Sequence, residues 1–352
     1  MNTVGDNSVQ NIADDEGMSQ PVAASDEATA AASKTLAGRC AWIISDGVRG
    51  HLTITEGVAE ALGLAVEVKT VAPRWPWRYL APWGPPDPRD LAALLREPWP
   101  DVVFGAGRLT VPVVRALKRA GQGRIFTVQF QAPQTGTNCA HLIWAPAHDG
   151  LEGPNVISTL TPPHRFTPAR LAALRATVPP EIASLPSPRV ALFIGGPGGG
   201  YDYSPEAIAS FAARLRAIAP FAGSFLITPS RRTPPALASA VEEATAATPR
   251  ILWDGAGENP YPQFLAHADA FIVSADSVNM TGEACATGRP VYVLTPAGGR
   301  AKFHRYHAAL EAYGATRPLP DHPAAFETWE YDPLQAAAAI AQEIECRLDK
   351  SL

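Results

Sequence analysis

The sequence predicts an α/β protein built as two Rossmann-like domains facing across a cleft. Two observations carry that prediction. Short apolar runs alternate with amphipathic stretches along the body of the chain, and a strand running into a glycine-bearing loop occurs twice, about 150 residues apart. Strands that alternate with helices build parallel sheets covered on both faces. Two such halves hold a ligand in the crevice at the carboxyl ends of their strands.

Residues 1–37 read as a disordered acidic tail. Residues 1–35 carry six acids (Asp6, Asp14, Asp15, Glu16, Asp26, Glu27) against Lys34, so they account for the formal charge of −5 on 352 residues. The rest of the chain balances, 28 charges of each sign. A polar, acidic segment cannot bury enough apolar surface to fold alone, and without a basic start and an apolar core it is not a signal peptide. The neutral body disfavours a nucleic-acid binder held by bulk charge. No apolar run approaches the ~18–20 residues of a membrane-spanning helix. Cys40, Cys139, Cys285 and Cys346 form no CxxC pair. That disfavours structural zinc and a disulfide framework and points to a reducing cytoplasm. Arg outnumbers Lys 24 to 5, the bias that GC-rich codons produce, which suggests a bacterial source.

The N-terminal domain is expected over 38–178. CAWIIS (40–45) is a buried strand ending at Asp46-Gly47-Val48-Arg49-Gly50-His51. The amphipathic TEGVAEALG (55–63) follows, stopped by Gly63, and then an alternating strand over 64–71. DVVF (101–104), a helix over 111–120, RIFTVQF (124–130) and HLIWAP (141–146) continue the rhythm. Residues 73–86, PRWPWRYLAPWGPP, combine three tryptophans, a tyrosine and two arginines. That mixture suits a membrane interface or a lipid-linked acceptor, or else a proline-rich loop pinned to its own domain. Residues 179–188 read as an interdomain linker. The C-terminal domain, 189–330, opens with RVALFIGG (189–196) and continues with strands within 223–230, 250–255, 269–276 and 289–294. The segment 331–352 holds an amphipathic helix expected to pack back on the N-terminal domain.

The chemistry concentrates in a few loops. Gly195, Gly196, Gly198, Gly199 and Gly200 fill five of six positions before Tyr201-Asp202-Tyr203-Ser204. Backbone amides there can approach an anion closely, and a helix opened by Ser204 and Pro205 adds a positive end. A tight connector is the bland alternative. Tyr201 stands where the third glycine of G-x-G-x-x-G belongs, and no Gly-Lys-Ser/Thr follows, which disfavours NAD enzymes and P-loop NTPases. A second strand ends at Ser274-Ala275-Asp276-Ser277 and enters a helix that Gly288 closes. Asp276 or Ser277 is placed to cap it. Glu283 lies about 9 Å further along that helix, the span from a diphosphate to a ribose diol that a carboxylate can accept; a solvated glutamate is the alternative. Arg231 and Arg232 in TPSRRTP offer guanidinium forks to diphosphate oxygens, or form a solvated pair, while Ser230 or Thr233 is placed to cap the next helix. Lys302 and Arg305 begin another helix and either reach the same anion or form a basic helix face. Histidine as a residue type suits proton transfer near neutral pH, so His51 is a candidate general base, with Asp46, Asp149 and His148 as rivals. No D-x-D occurs, so no metal-held nucleotide is expected.

Six segments together resemble the ELM1 family of mitochondrial-fission-like proteins, whose bacterial members are classed as candidate glycosyltransferases. They are SDGVRGH (45–51), PAHDGLEGPNVI (146–157), GGPGGGYDYS (195–204), TPSRRTP (228–234), the run from Asn259 to Leu294, and KFHRYH (302–307). The donor segment is also similar to that of GT-B glycosyltransferases of the lipid-linked N-acetylglucosaminyltransferase type. The resemblance implies a GT-B fold and transfer of a sugar from a nucleotide-diphosphate donor to a lipid-linked or cell-envelope acceptor. It implies a metal-independent reaction with no cofactor beyond the nucleotide sugar. Inversion is favoured because the position eight before Glu283 is Ala275 rather than a second glutamate. The implied donor site comprises Gly195, Gly196, Gly198, Gly199, Ser230, Arg231, Arg232, Asp276, Ser277, Met280, Glu283 and Lys302, with His51, Asp46 or Asp149 catalytic. No nucleic-acid partner is implied. The expected location is the cytoplasm, peripheral on the inner membrane through 73–86. A nucleotide-sugar 2-epimerase and a non-catalytic membrane-associated scaffold are the alternatives.

Overall fold

The computed structural model describes residues 36–349 apart from Glu97; nearly all of the expected acidic tail lies outside the described residues. Leu36, assigned to that tail, is instead buried in the first core.

The N-terminal half contains β1 (Cys40–Ser45), α1 (Arg49–Ala61), β2 (Ala65–Thr70), α2 (Trp77–Leu80), α3 (Pro88–Leu94), β3 (Val102–Ala106), α4 (Val111–Gly121), β4 (Phe126–Phe130), β5 (Leu142–Pro146) and β6 (Val156–Thr159). Its sheet is parallel throughout, in the order β2-β1-β3-β4-β5-β6. β3 and β4 are buried at every position; β3 reads as a continuous apolar run, while β4 also buries the polar Thr127 and Gln129. The order reverses beside β1, so the loops leaving β1 and β3 flank a crevice at the carboxyl end of the sheet.

The C-terminal half contains α5 (Pro168–Arg175), α6 (Pro180–Ala183), β7 (Arg189–Ile194), α7 (Pro205–Ile218), β8 (Ser224–Pro229), α8 (Pro235–Ala244), β9 (Arg250–Leu252), α9 (Tyr261–His267), β10 (Ala270–Ser274), α10 (Val278–Cys285), β11 (Val291–Leu294), α11 (Ala301–Tyr313) and β12 (Thr316–Pro318). Its parallel order, β12-β11-β10-β7-β8-β9, is that of a dinucleotide-binding sheet, with its switch point between β7 and β10. The glycine loop leaves β7 and the Ala275–Ser277 loop leaves β10, so topology brings these two segments together. The last helix, α12 (Ala336–Asp349), returns to the first half, where Ile340 and Ile344 are buried with Val58, Leu62 and Phe126. Each fully buried isoleucine stabilises this return by ~1.5–3 kcal/mol. Among the described residues no helix is long and apolar enough to cross a membrane.

The structure corrects three expectations. The boundary between the halves falls ahead of α5, not at 179–188. Phe166, Leu171 and Ile182 are buried against Phe264, Leu265 and Phe271, and Arg175 donates to the carbonyl oxygens of Ala266 (3.0 Å) and Thr287 (3.4 Å). The expected linker therefore contains α6 and belongs to the second core. The first helix starts at Arg49 rather than Thr55, because it follows Val48, a residue with no side-chain acceptor to mark a helix start. The sequence predicts no strand at β6 or β12. β6 is only half-buried, and β12 is three residues long with a proline at its end.

Candidate functional site

The first crevice lies where the loops leave β1 and β3. The early start of α1 places His51 in its first turn. Its Nδ1 sits 3.1 Å from both carboxylate oxygens of Asp46. Asp46 is 6% exposed and His51 21%, so the carboxylate lies behind the ring and the ring reaches the crevice. The backbone N–H of Val48 also donates to Asp46 at 3.1 Å, which fixes the carboxylate in place. Gly107, after β3, backs the imidazole: a Cβ at that position would lie 2.4 Å from His51 Cε1. With Nδ1–H donated to the carboxylate, Nε2 keeps its lone pair and becomes the basic nitrogen. Asp46 is thereby a partner of His51 rather than a rival to it.

The second crevice is organised by Asp276, whose side chain is fully buried. Its carboxylate accepts from Gly196 N–H (2.9 Å), Arg232 Nη2 (2.9 Å), the Tyr203 hydroxyl (2.6 Å) and Ser274 Oγ (2.9 Å). Ser274 Oγ in turn accepts from Gly195 N–H at 2.7 Å. Burial, followed by the Asp276 carboxylate, raises the Tyr203 hydroxyl well above its ordinary range. Neither Asp276 nor Ser277 caps α10 through its side chain, contrary to expectation; Asp276 is turned back onto the glycine loop. Likewise neither Ser230 nor Thr233 caps α8. Thr233 Oγ1 donates to the carbonyl oxygens of Ile194 (3.0 Å) and Gly195 (2.6 Å), and Ser230 Oγ accepts from Arg232 N–H at 3.2 Å. Thr233 thereby knits the loop after β8 to the end of β7, and the Ser230 hydroxyl fastens that loop onto itself. Ser204 does cap α7, accepting from Ala207 N–H at 3.3 Å.

Of the remaining residues, Arg231 is exposed beside Arg232, and Lys302 lies at the start of α11 with Nζ 5.4 Å from the Phe303 ring centroid. Gly198 and Gly199 approach Arg232 and Phe303 closely. Met280 is partly buried against the second core. Glu283 is buried and accepts from the Tyr261 hydroxyl. Burial pushes its carboxyl up to about 7, against the lowering effect of that hydrogen bond. Glu283, Asn279, Thr53, Ile54 and His164 line a narrow crevice between the halves. His148 and Asp149 follow β5. The His148 carbonyl oxygen accepts from Arg305 at 3.1 and 3.3 Å, and its ring lies 5.4 Å from that of Tyr306. Burial, together with Lys302 and Arg305, lowers the His148 pKa despite Asp149. His148 therefore ties the halves together near α11, and Asp149 pairs with it at 3.8 Å. The sequence reading missed Tyr203, Ser274 and Tyr261 as partners of Asp276 and Glu283. All three lie inside the quoted motifs, but only the sheet order shows what they face.

Two doubly wound halves whose strand ends face each other define a GT-B-type α/β protein. The chain belongs to the mitochondrial fission ELM1 family, whose model matches residues 49–348. It is 29% identical over 276 residues to the mitochondrial fission protein ELM1 of Arabidopsis thaliana, covering 70% of this chain and 65% of that one. The chain thus spans just under two thirds of that relative's length. Among solved structures, the UDP-GlcNAc 2-epimerase of Neisseria meningitidis, bound to UDP-GlcNAc, aligns with 88% of this chain and 99% of its own at 13% identity and a TM-score of 0.49. MurG of Acinetobacter baumannii aligns with 88% and 91% at 13% identity and a TM-score of 0.47.

Proposed function

We propose that this protein is a glycosyltransferase that takes a nucleotide-diphosphate sugar in the second crevice and transfers the sugar to an acceptor hydroxyl beside His51. The observation that carries the reading is the His51–Asp46 pair at one switch point, facing the start of α10 at the other. A Cβ at Gly50 would lie 3.7 Å from Asn279 Nδ2, so the two helix ends meet. In this reading His51 Nε2 takes the acceptor proton while Asp46 stabilises the imidazolium. The acceptor oxygen bonds to the anomeric carbon, the bond to the diphosphate oxygen breaks, and a single displacement inverts the centre. Arg231, Lys302 and the start of α7 neutralise the departing diphosphate, with Arg232 held beside them by Asp276, so the reaction needs no metal. The acceptor is lipid-linked or part of the cell envelope, and the protein works at the cytoplasmic face of a membrane.

One observation favours a non-catalytic scaffold instead. Asp276 already occupies the Gly196 amide and Arg232, two groups a diphosphate would use. Calorimetry with UDP, GDP and CMP separates the readings. One of the three is expected to bind, and binding of none at millimolar concentration refutes the transferase. Turnover of a UDP-sugar with no acceptor present would convert the reading to a 2-epimerase. Within the transferase reading, Asp46→Asn is expected to lower kcat by about two to four orders of magnitude with little change in donor affinity.

A further inference from the structure

The overall neutrality of the body conceals a local excess. Residues 73–141 carry nine Lys and Arg against four Asp and Glu. The same stretch displays large rings to solvent: Trp75 is 78% exposed, Tyr79 74% and Trp83 65%, with Leu80 beside them. α2 buries none of its residues. These rings are not the inside of a self-packed loop; they are held outward by the backbone beneath them. Arg115 donates to the carbonyl oxygens of Pro82 (3.2 Å), Trp83 (3.1 Å) and Gly84. Arg108 donates to those of Arg78 (3.2 Å) and Ala81. Arg74 forks onto Asp87 at 2.8 and 2.7 Å. Between Trp83 and α4 lies a groove of about 680 Å³, lined in part by Arg115, Lys118, Arg119 and His141. None of Arg78, Arg115, Lys118 and Arg119 has a carboxylate partner among the described residues.

We propose that residues 75–83 and the adjoining edge of α4 form a docking surface for an anionic phospholipid bilayer, with the rings at headgroup level and lipid phosphates in the groove. Amphipathic rings settle at the membrane–water interface, and clustered cations draw anionic headgroups. A soluble anion would account for the cations but not for three exposed rings beside them. The purpose of the surface rests on the transferase reading. Gly107 touches the His51 ring, and the next residue, Arg108, holds the aromatic loop, so docking would set the histidine close to an acceptor carried in the membrane.

The test is co-sedimentation of the full chain with vesicles of phosphatidylcholine, alone or with about one third phosphatidylglycerol. Partition onto the anionic vesicles is expected to exceed that onto neutral ones by about tenfold or more and to weaken as salt is raised. The double substitution Trp75→Ser with Trp83→Ser, and separately Arg119→Glu, should each lower it severalfold while circular dichroism stays unchanged. Absence of binding to anionic vesicles at low salt overturns the proposal, as does unchanged binding by both variants. Displacement by millimolar glycerol phosphate also overturns it, by marking the groove as a site for soluble phosphate. Each of these failures would leave the nucleotide titration above unaffected, so the two readings stand or fall separately.

Discussion

Replacing Glu283 by Gln tests how the crevice between the halves is built. The carboxyl is buried, and among the described residues only the Tyr261 hydroxyl donates to it, so its charged form is poorly supported and its pKa rises from an ordinary 4.5 to about 7. An acid whose pKa is raised by folding contributes stability that is fully present below its unfolded value. That stability is lost as pH rises through the folded value. Here the loss runs from about pH 4.5 to about pH 7 and amounts to about 3 kcal/mol, since each pH unit between the two values is worth ~1.4 kcal/mol. The glutamine variant keeps an acceptor for Tyr261 and carries no charge at any pH. Urea unfolding of both proteins at intervals from pH 5 to pH 8 should therefore show the variant gaining on the native chain by about 2–3 kcal/mol, most steeply below pH 7 and level above it. Two parallel stability curves would refute the reasoning and place a compensating cation or water beside the carboxylate.

Two further substitutions probe the packing around the site. Asp276→Ala strips acceptors from the Gly196 amide and the Tyr203 hydroxyl, each worth ~1–3 kcal/mol when left unmade. The half-exposed Arg232 rehydrates, so its ion pair adds little; denaturant titration should register a loss of about 2–4 kcal/mol, and a loss below ~1 kcal/mol would mean water replaces the carboxylate. Gly57→Ala would ordinarily strengthen a helix by ~1 kcal/mol. In α1 the new methyl would lie 2.6 Å from the His164 carbonyl carbon, so a net destabilisation of about 1–3 kcal/mol is expected, and a rise in Tm would show that the crossover can move aside.

The strands were legible in the sequence wherever both faces are buried. β3 and β10 are apolar at nearly every position because helices cover them on both sides. β12 escaped because three residues ending in proline carry no pattern, and β6 because its side chains are half-buried at most. The domain boundary was misplaced for a different reason. Prolines in 178–188 mark a change of direction, but α5, ahead of them, commits to the second core through Leu171, and one buried leucine is too small a signal to read from sequence. The pairing of His51 with Asp46 lay within one quoted motif, five residues apart. The roles of Tyr203, Ser274 and Tyr261 were hidden because their partners lie on other elements, or two positions away in a strand end read only as a helix cap.

The glycine loop is where sequence and structure diverge most in meaning. Five glycines in six positions read as a cradle for phosphate. Yet a Cβ at Gly195 would lie 2.1 Å from the Asp276 carboxylate, and one at Gly196 would lie 2.1 Å from the Arg232 carbonyl oxygen. Those two glycines are required by the protein's own contacts, whether or not a ligand binds, and Gly196 has already given its amide to Asp276. Any diphosphate must therefore meet the later part of the loop. Its positive partners must be groups that Asp276 does not neutralise: exposed Arg231, Lys302, and the α7 start beyond Ser204. A carboxylate at the floor of an anion site repels the ligand but fixes the loop and Arg232 in position before it arrives. Which effect is larger depends on charge alone, since Asp276→Asn preserves shape and most hydrogen bonds. If repulsion dominates, removing that charge tightens nucleotide binding; if positioning dominates, it loosens it.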